Sequence, residues 1–205
     1  MGAQLSSRVH GLVLAGAHPK GHTQFDRLRP RPMLPVAQAP VVSYPLRWLA
    51  DSAVPNVTVC ANSVARGVRA LVRSLPDMGL ELDFYEDWMP RGPAGCARDA
   101  ALRVSAERFV AVDGTAIPCM DIAELLQTHE SSGADMTLAV HPCTVQGAAN
   151  AALSPAGVYV FERRALEQVS ERGYQDIKET LLPRLNAAGL KVTTHLTPAA
   201  CPRVL

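Results

Sequence analysis

The chain has 205 residues, enough to bury a core of its own, and its 48% hydrophobic against 19% charged content excludes intrinsic disorder. Twenty Lys+Arg against nineteen Asp+Glu leave a net charge of +1, which offers no electrostatic footprint for nucleic acid or an anionic membrane. No apolar run approaches the roughly 18 residues of a membrane span, and Met1–Gly11 turns polar too soon for a signal peptide. The five cysteines, Cys60, Cys96, Cys119, Cys143 and Cys201, are odd in number and none lies close to another. Paired zinc or thioredoxin motifs are thereby excluded, and free thiols in a reducing cytoplasm are expected.

Strand and helix patterns alternate along the chain. Val9–Ala15 is a continuous apolar run and reads as a buried strand. Ser43 and Pro45 can open a helix that places Leu46, Leu49 and Ala50 on one face. Asn56–Ala61 reads as a strand, Ser63–Leu75 as a helix with Arg66, Arg69 and Arg73 on its solvated side, and Leu80–Tyr85 as a strand of period two. Ala97–Val104 is a short helix, Phe109–Asp113 a strand, and Asp121–Ser131 a helix that stops near Gly133. Met136–His141 and Gly157–Phe161 are further strands. Asp176 and Glu179 have capping-box spacing before a helix that Pro183 interrupts and Gly189 ends, and Lys191–His195 is the last strand. The alternation argues an α/β fold on a mostly parallel sheet, one domain over 1–205 with 196–205 a loose tail.

Ligands of such sheets sit at the carboxyl ends of the strands, so the loop after the first strand is the place to look. Gly16 and Gly21 have the spacing of P-loop glycines with Thr23 as the hydroxyl residue, but His22 stands where that loop needs a lysine. The prolines at 30, 32 and 35 also deny the helix a P-loop must open. A longer match begins with Leu14-Ala15-Gly16 and continues into Arg29-Pro30-Arg31-Pro32-Met33-Leu34-Pro35-Val36. It resembles, without a gap, the L-A-G-G-x-G-T-R-L-x-P-L-T-x-x-R-P-K-P-M-L-P-V motif of the sugar-1-phosphate nucleotidyltransferases. Gly92-Pro93-Ala94-Gly95 resembles the family's G-T-A-G turn, Val112-Asp113-Gly114-Thr115 its L-N-G-D, and Ala156–Phe161 its N-A-G-I-Y-V-F.

This resemblance implies a three-layer, Rossmann-like nucleotidyltransferase fold of glycosyltransferase-A type, with helices on both faces of the sheet. The implied reaction is attack of a sugar phosphate on the α-phosphorus of a nucleoside triphosphate, with Mg2+ as the metal of an active member. Charge developing on phosphoryl oxygens calls for cations placed in advance. By position, the nucleotide-binding candidates are Leu14, Ala15, Gly16, Arg31, Asp87, Gly92 and Asp113. Lys20 and Arg31 are the candidate catalytic cations, and Asp113 is the candidate metal ligand.

Much of the family pattern is altered. Ala17 and Pro19 replace loop glycines, Lys20-Gly21 replaces Thr-Arg, and Arg31 replaces a lysine. Asp87 stands at the base-reading glutamine, and Thr115 at the metal-binding aspartate. No E-K-P motif lies between His141 and Ala156, and no Asp or Glu follows Glu179 to supply a second metal carboxylate. Other ligand sets are weaker: His18, His22 and Asp26 are interrupted by Pro19, and Cys96 reads as a small buried residue. The expectation is a degenerate, catalytically impaired family member with no resident cofactor. It would bind a nucleoside triphosphate or nucleotide sugar as a regulatory or assembly subunit, in a homo-oligomer or beside an intact nucleotidyltransferase. The alternatives are an active transferase and a ligand-free interaction module.

Overall fold

Val9–Leu14 forms β1, a mostly apolar strand buried along its whole length, His10 included, as a strand covered on both faces must be. A computed structural model describes residues 9–16, 29–62, 65, 67–143 and 152–204. β1 pairs in parallel with β4 (Asn56–Asn62) on one side and β6 (Arg108–Asp113) on the other, and β5 (Glu81–Asp87) extends the sheet beyond β4. Next to β6 runs β8 (Ala152–Glu162), antiparallel to both β6 and β7 (Met136–Cys143), and β9 (Val192–Leu196) closes the edge parallel to β7. The order is β5-β4-β1-β6-β8-β7-β9, with β2 (Pro35–Val36) and β3 (Ala39–Pro40) forming a separate small hairpin. The expected mostly parallel sheet is present, with β8 as the strand that runs against the rest.

Alternation along the central strands divides the core in two. Val9 and Val13 face a cluster with Leu46 and Leu49 of α1 (Ser43–Asp51), Val68 and Val72 of α2 (Val68–Arg73), and Leu125 of α4 (Ile122–Ser132). Leu12 and Leu14 face α3 (Gly92–Ala101), α5 (Arg163–Leu166) and α6 (Leu182–Ala187). Helices therefore cover both faces, as expected. The small residues Ala94, Gly95, Ala97 and Ala100 let α3 lie close on the sheet.

Local signals behave as their chemistry dictates. Asp121 caps α4 by accepting from the Ala123 amide at 2.7 Å, and Gly133 ends it with φ +59°. Asp176 accepts from the amides of Lys178 and Glu179. The turn it caps is π-type over Ile177–Leu181, and Pro183 then opens α6. Three expectations shift. α3 begins at Gly92 rather than Ala97, because Pro93 fits a first helical turn that lacks a partner for its amide anyway. α2 begins only at Val68, after Gly67 turns the chain with φ +90°; residues 63, 64 and 66 lie outside the described set. The tail expected to be loose is docked: Ile117 N donates to Pro202 O at 2.8 Å, Val204 N to Thr115 O at 3.0 Å, and Cys201 is buried.

His10 sits in β1 with Nε2 2.8 Å from Thr58 Oγ1, and burial lowers its pKa against an opposing pull from Asp83. A depressed folded pKa means the unfolded chain takes up the proton first, so stability falls as pH drops below about 6.5. Melting temperature measured from neutral to mildly acid pH should decline in the native protein and decline less steeply in His10→Asn.

Candidate functional site

The parallel strands deliver their carboxyl ends to one edge of the sheet, and backbone packing there brings the candidate segments together. Gly114 N donates to Leu14 O at 2.9 Å, and a Cβ on Gly114 would lie 2.9 Å from the Ala15 Cα. Only glycine permits that approach, so the ends of β1 and β6 touch. Ala15 is buried and its amide donates to Cys60 O at 2.8 Å. Gly16 is exposed and lies beside the Asn62 side chain at the end of β4. Leu14, Ala15, Gly16 and Asp113 thus form one constellation. Lys20, His18, His22 and Asp26 lie outside the described residues. Arg31 is half-buried at the start of a single 3-10 turn, Arg31–Met33, whose Met33 packs beside Gly67.

Asp87 has both carboxylate oxygens engaged within its own loop. It is buried, Oδ1 accepts from Met89 N at 3.1 Å and Oδ2 from Arg91 N at 2.6 Å, so it closes its own loop into α3. Gly92 opens that helix with φ +79°, and a Cβ there would meet Gln175 O at 2.5 Å. The same carbonyl accepts from Ala94 N at 3.1 Å, so an internal group occupies a first-turn amide of α3. Cys96 lies deeper; the Cys60 thiol and burial push its own thiol well above the ordinary range, which suits packing rather than reaction.

Asp113 ends β6 with a side chain 16% exposed, and its Oδ2 accepts from Arg203 Nη2. Burial raises its carboxyl above the ordinary carboxylate range, against the pull of Arg203 and Lys178. Gly157 of β8, the residue before the Val158 that pairs with Val112, has φ +77° and makes room for this ion pair: a Cβ would lie 2.9 Å from Asp113 Oδ2 and 3.2 Å from Arg203 Nε. Arg203 was not among the sequence candidates, and it lies 90 positions from Asp113 with no motif to announce it.

A hard divalent ion needs several oxygen ligands free at once. Asp113 is held by Arg203, Asp176 Oδ1 is spent on two amides, and Thr115 O accepts from Val204. Among the described residues no group of three or more His, Cys, Asp or Glu could hold a metal. As these described residues stand, with Arg203 on Asp113 Oδ2, they do not by themselves fit Mg2+.

The opposite edge of the sheet carries a shallow cavity of about 280 Å³ lined by Arg108, His129, Glu130, Glu162 and Arg164. Its charges satisfy each other: Arg108 Nε lies 2.7 Å and His129 Nε2 3.1 Å from Glu162 Oε1. Among the described residues no helix is long and apolar enough to cross a membrane.

Known proteins support the fold and the lineage. HddC from Yersinia pseudotuberculosis superposes with a TM-score of 0.77 at 14% identity, covering 95% of this chain and 92% of that one. The same protein has been solved complexed with GMP-PN. A mannose-1-phosphate guanylyltransferase from Mycobacterium tuberculosis is 23% identical over 203 residues, 89% of this chain and 56% of the relative. A D-glycero-alpha-D-manno-heptose 1-phosphate guanylyltransferase from Aneurinibacillus thermoaerophilus is 22% identical over 134 residues, 65% of this chain and 58% of the relative. The chain thus spans little more than half the length of these two curated relatives. The nucleotidyl transferase family model matches residues 11–151, more than half of the chain, and this protein belongs to that family.

Proposed function

We propose that this chain binds a nucleoside triphosphate or nucleotide sugar at the β1–β6 edge and transfers its nucleotidyl group at a negligible rate, serving as a regulatory or assembly subunit. The observation that carries the reading is the Asp113 carboxylate engaged by Arg203, with neutral Thr115 beside it. Removing one preorganised charge-stabilising group typically costs about 10²–10³ in rate, and here Thr115 stands at the metal-binding aspartate and Gly21 at the loop arginine. Such losses do not add, yet together they take away the electrostatics this phosphoryl chemistry depends on.

The Leu14–Gly16 loop supports binding, since it keeps a glycine at the strand end and an open side toward solvent. Two relatives named as guanylyltransferases make guanine nucleotides the first ligands to try. A second copy of this chain, or an intact nucleotidyltransferase, is the partner such a subunit would serve.

Pyrophosphate release tests the reading, with each nucleoside triphosphate, Mg2+ and a panel of sugar 1-phosphates, beside calorimetric titration of GTP. The expected result is release at least about 10³-fold below an intact relative, with GTP binding retained. Release at a comparable rate would establish an active transferase, and the absence of both release and binding would leave an interaction module.

A further inference from the structure

Asp113 stands where the parallel strands deliver their loops, yet its partner is a side chain of the same molecule. Arg203 arrives on a pinned segment: Pro202 O and Val204 N hydrogen-bond to Ile117 and Thr115, Ala116 and Arg203 form a bridge, and Cys201 is sealed beneath. Gly157 leaves the space in which the guanidinium and the carboxylate meet. Arg203 Nε is buried without a hydrogen-bond partner among the described residues, while the side chain as a whole is 25% exposed. Lys178 is exposed and close enough to act on the Asp113 charge. The carboxylate is thus paired with one cation, and part of the guanidinium that holds it reaches solvent.

We propose that Arg203 is the resident cation of this site: its guanidinium takes the place on Asp113 that a divalent ion would need, and the phosphates of a nucleotide dock on it without metal. The docking half rests on the nucleotide-binding reading above. A guanidinium is charged at every working pH and offers a planar fork of donors that matches phosphate oxygens, so one face can hold the carboxylate while another receives the ligand. It cannot do what a metal does in lowering the pKa of bound water or expanding its coordination, which suits a site that binds rather than transfers.

Mn2+ alone, titrated into the full chain and read by electron paramagnetic resonance, tests the first half. The native protein should bind Mn2+ no more tightly than Asp113→Asn. Arg203→Gln should tighten Mn2+ binding about tenfold or more, and adding Asp113→Asn should abolish that gain. A Mn2+ site in the native protein that Asp113→Asn removes would overturn the proposal. Should Arg203→Gln fail to fold, the native and Asp113→Asn titrations still decide the point.

GTP titrated in EDTA and in Mg2+ tests the second half. Native affinity should change less than about threefold between the two buffers. It should fall about tenfold in Arg203→Gln in EDTA and be only partly recovered in Arg203→Lys. Binding that needs the metal overturns metal-free docking. GTP that binds in neither buffer overturns docking together with the nucleotide-binding reading, while the Mn2+ titrations independently judge what Asp113 holds.

Discussion

Gly157→Ala should destabilise the protein by about 4 kcal/mol, a large part of the stability of a domain of this size. The residue has φ +77°, where an L side chain costs about 1–2 kcal/mol. Its new Cβ would also lie 2.9 Å from Asp113 Oδ2 and 3.2 Å from Arg203 Nε. Both neighbours are side-chain ends, and they give way only by loosening the ion pair between them. Asp113 is the end of a central strand, and Arg203 is held by its bridge to Ala116. Prising the guanidinium away leaves a mostly buried carboxylate unpaired, and breaking such a pair typically costs about 3–5 kcal/mol. Urea unfolding measures the loss. Gly189→Ala is the control: its φ is +69° but nothing lies within 4 Å of the added Cβ, so strain alone, about 1 kcal/mol, is expected. Equal losses in the two variants would mean that the ion pair over Gly157 contributes nothing.

Arg163→Ala should cost about 3 kcal/mol through a different mechanism. The Arg163 guanidinium gathers the carbonyls at the end of α3 and the loop before β6. Nε donates to Ala106 O at 3.0 Å, Nη1 to Ala101 O at 3.2 Å and Nη2 to Val104 O at 2.7 Å. It also covers the Phe109 ring at 5.4 Å. Helix ends leave carbonyls without intrahelical partners, and this side chain supplies them. Hydrogen bonds from a charged donor are worth about 1.5–3 kcal/mol each, reduced here because part of the loop reaches water. Lysine keeps the charge but cannot span three diverging acceptors, so Arg163→Lys should recover less than half of the loss. Full recovery by lysine would reduce the role to charge alone.

Arg163 and Arg203 show where legibility in the sequence ends. Both read as ordinary basic residues outside every motif, and each is defined by groups brought from elsewhere in the chain. Asp87 shows the converse. Its position in the family motif marked it for a ligand, but two amides of its own loop lie nearer and take its carboxylate. The β2–β3 hairpin was equally unmarked, because Ala37 and Gln38 turn the chain with φ of +45° and +68° where glycine or asparagine would have signalled it.

What the sequence determined by itself was whatever depends on near neighbours. The apolar run of β1, the Asp121 and Gly133 caps of α4, the Asp176 cap and the break at Pro183 follow from periods of two to four residues, and so could be read directly. The ordered motifs from Leu14 to Phe161 carried the family and the three-layer fold for the same reason. The tertiary structure alone decided the chemistry of the edge. A carboxylate's partner depends on which charge reaches it in space. For Asp113 that charge comes from Arg203, 90 residues away, through room that Gly157 leaves open.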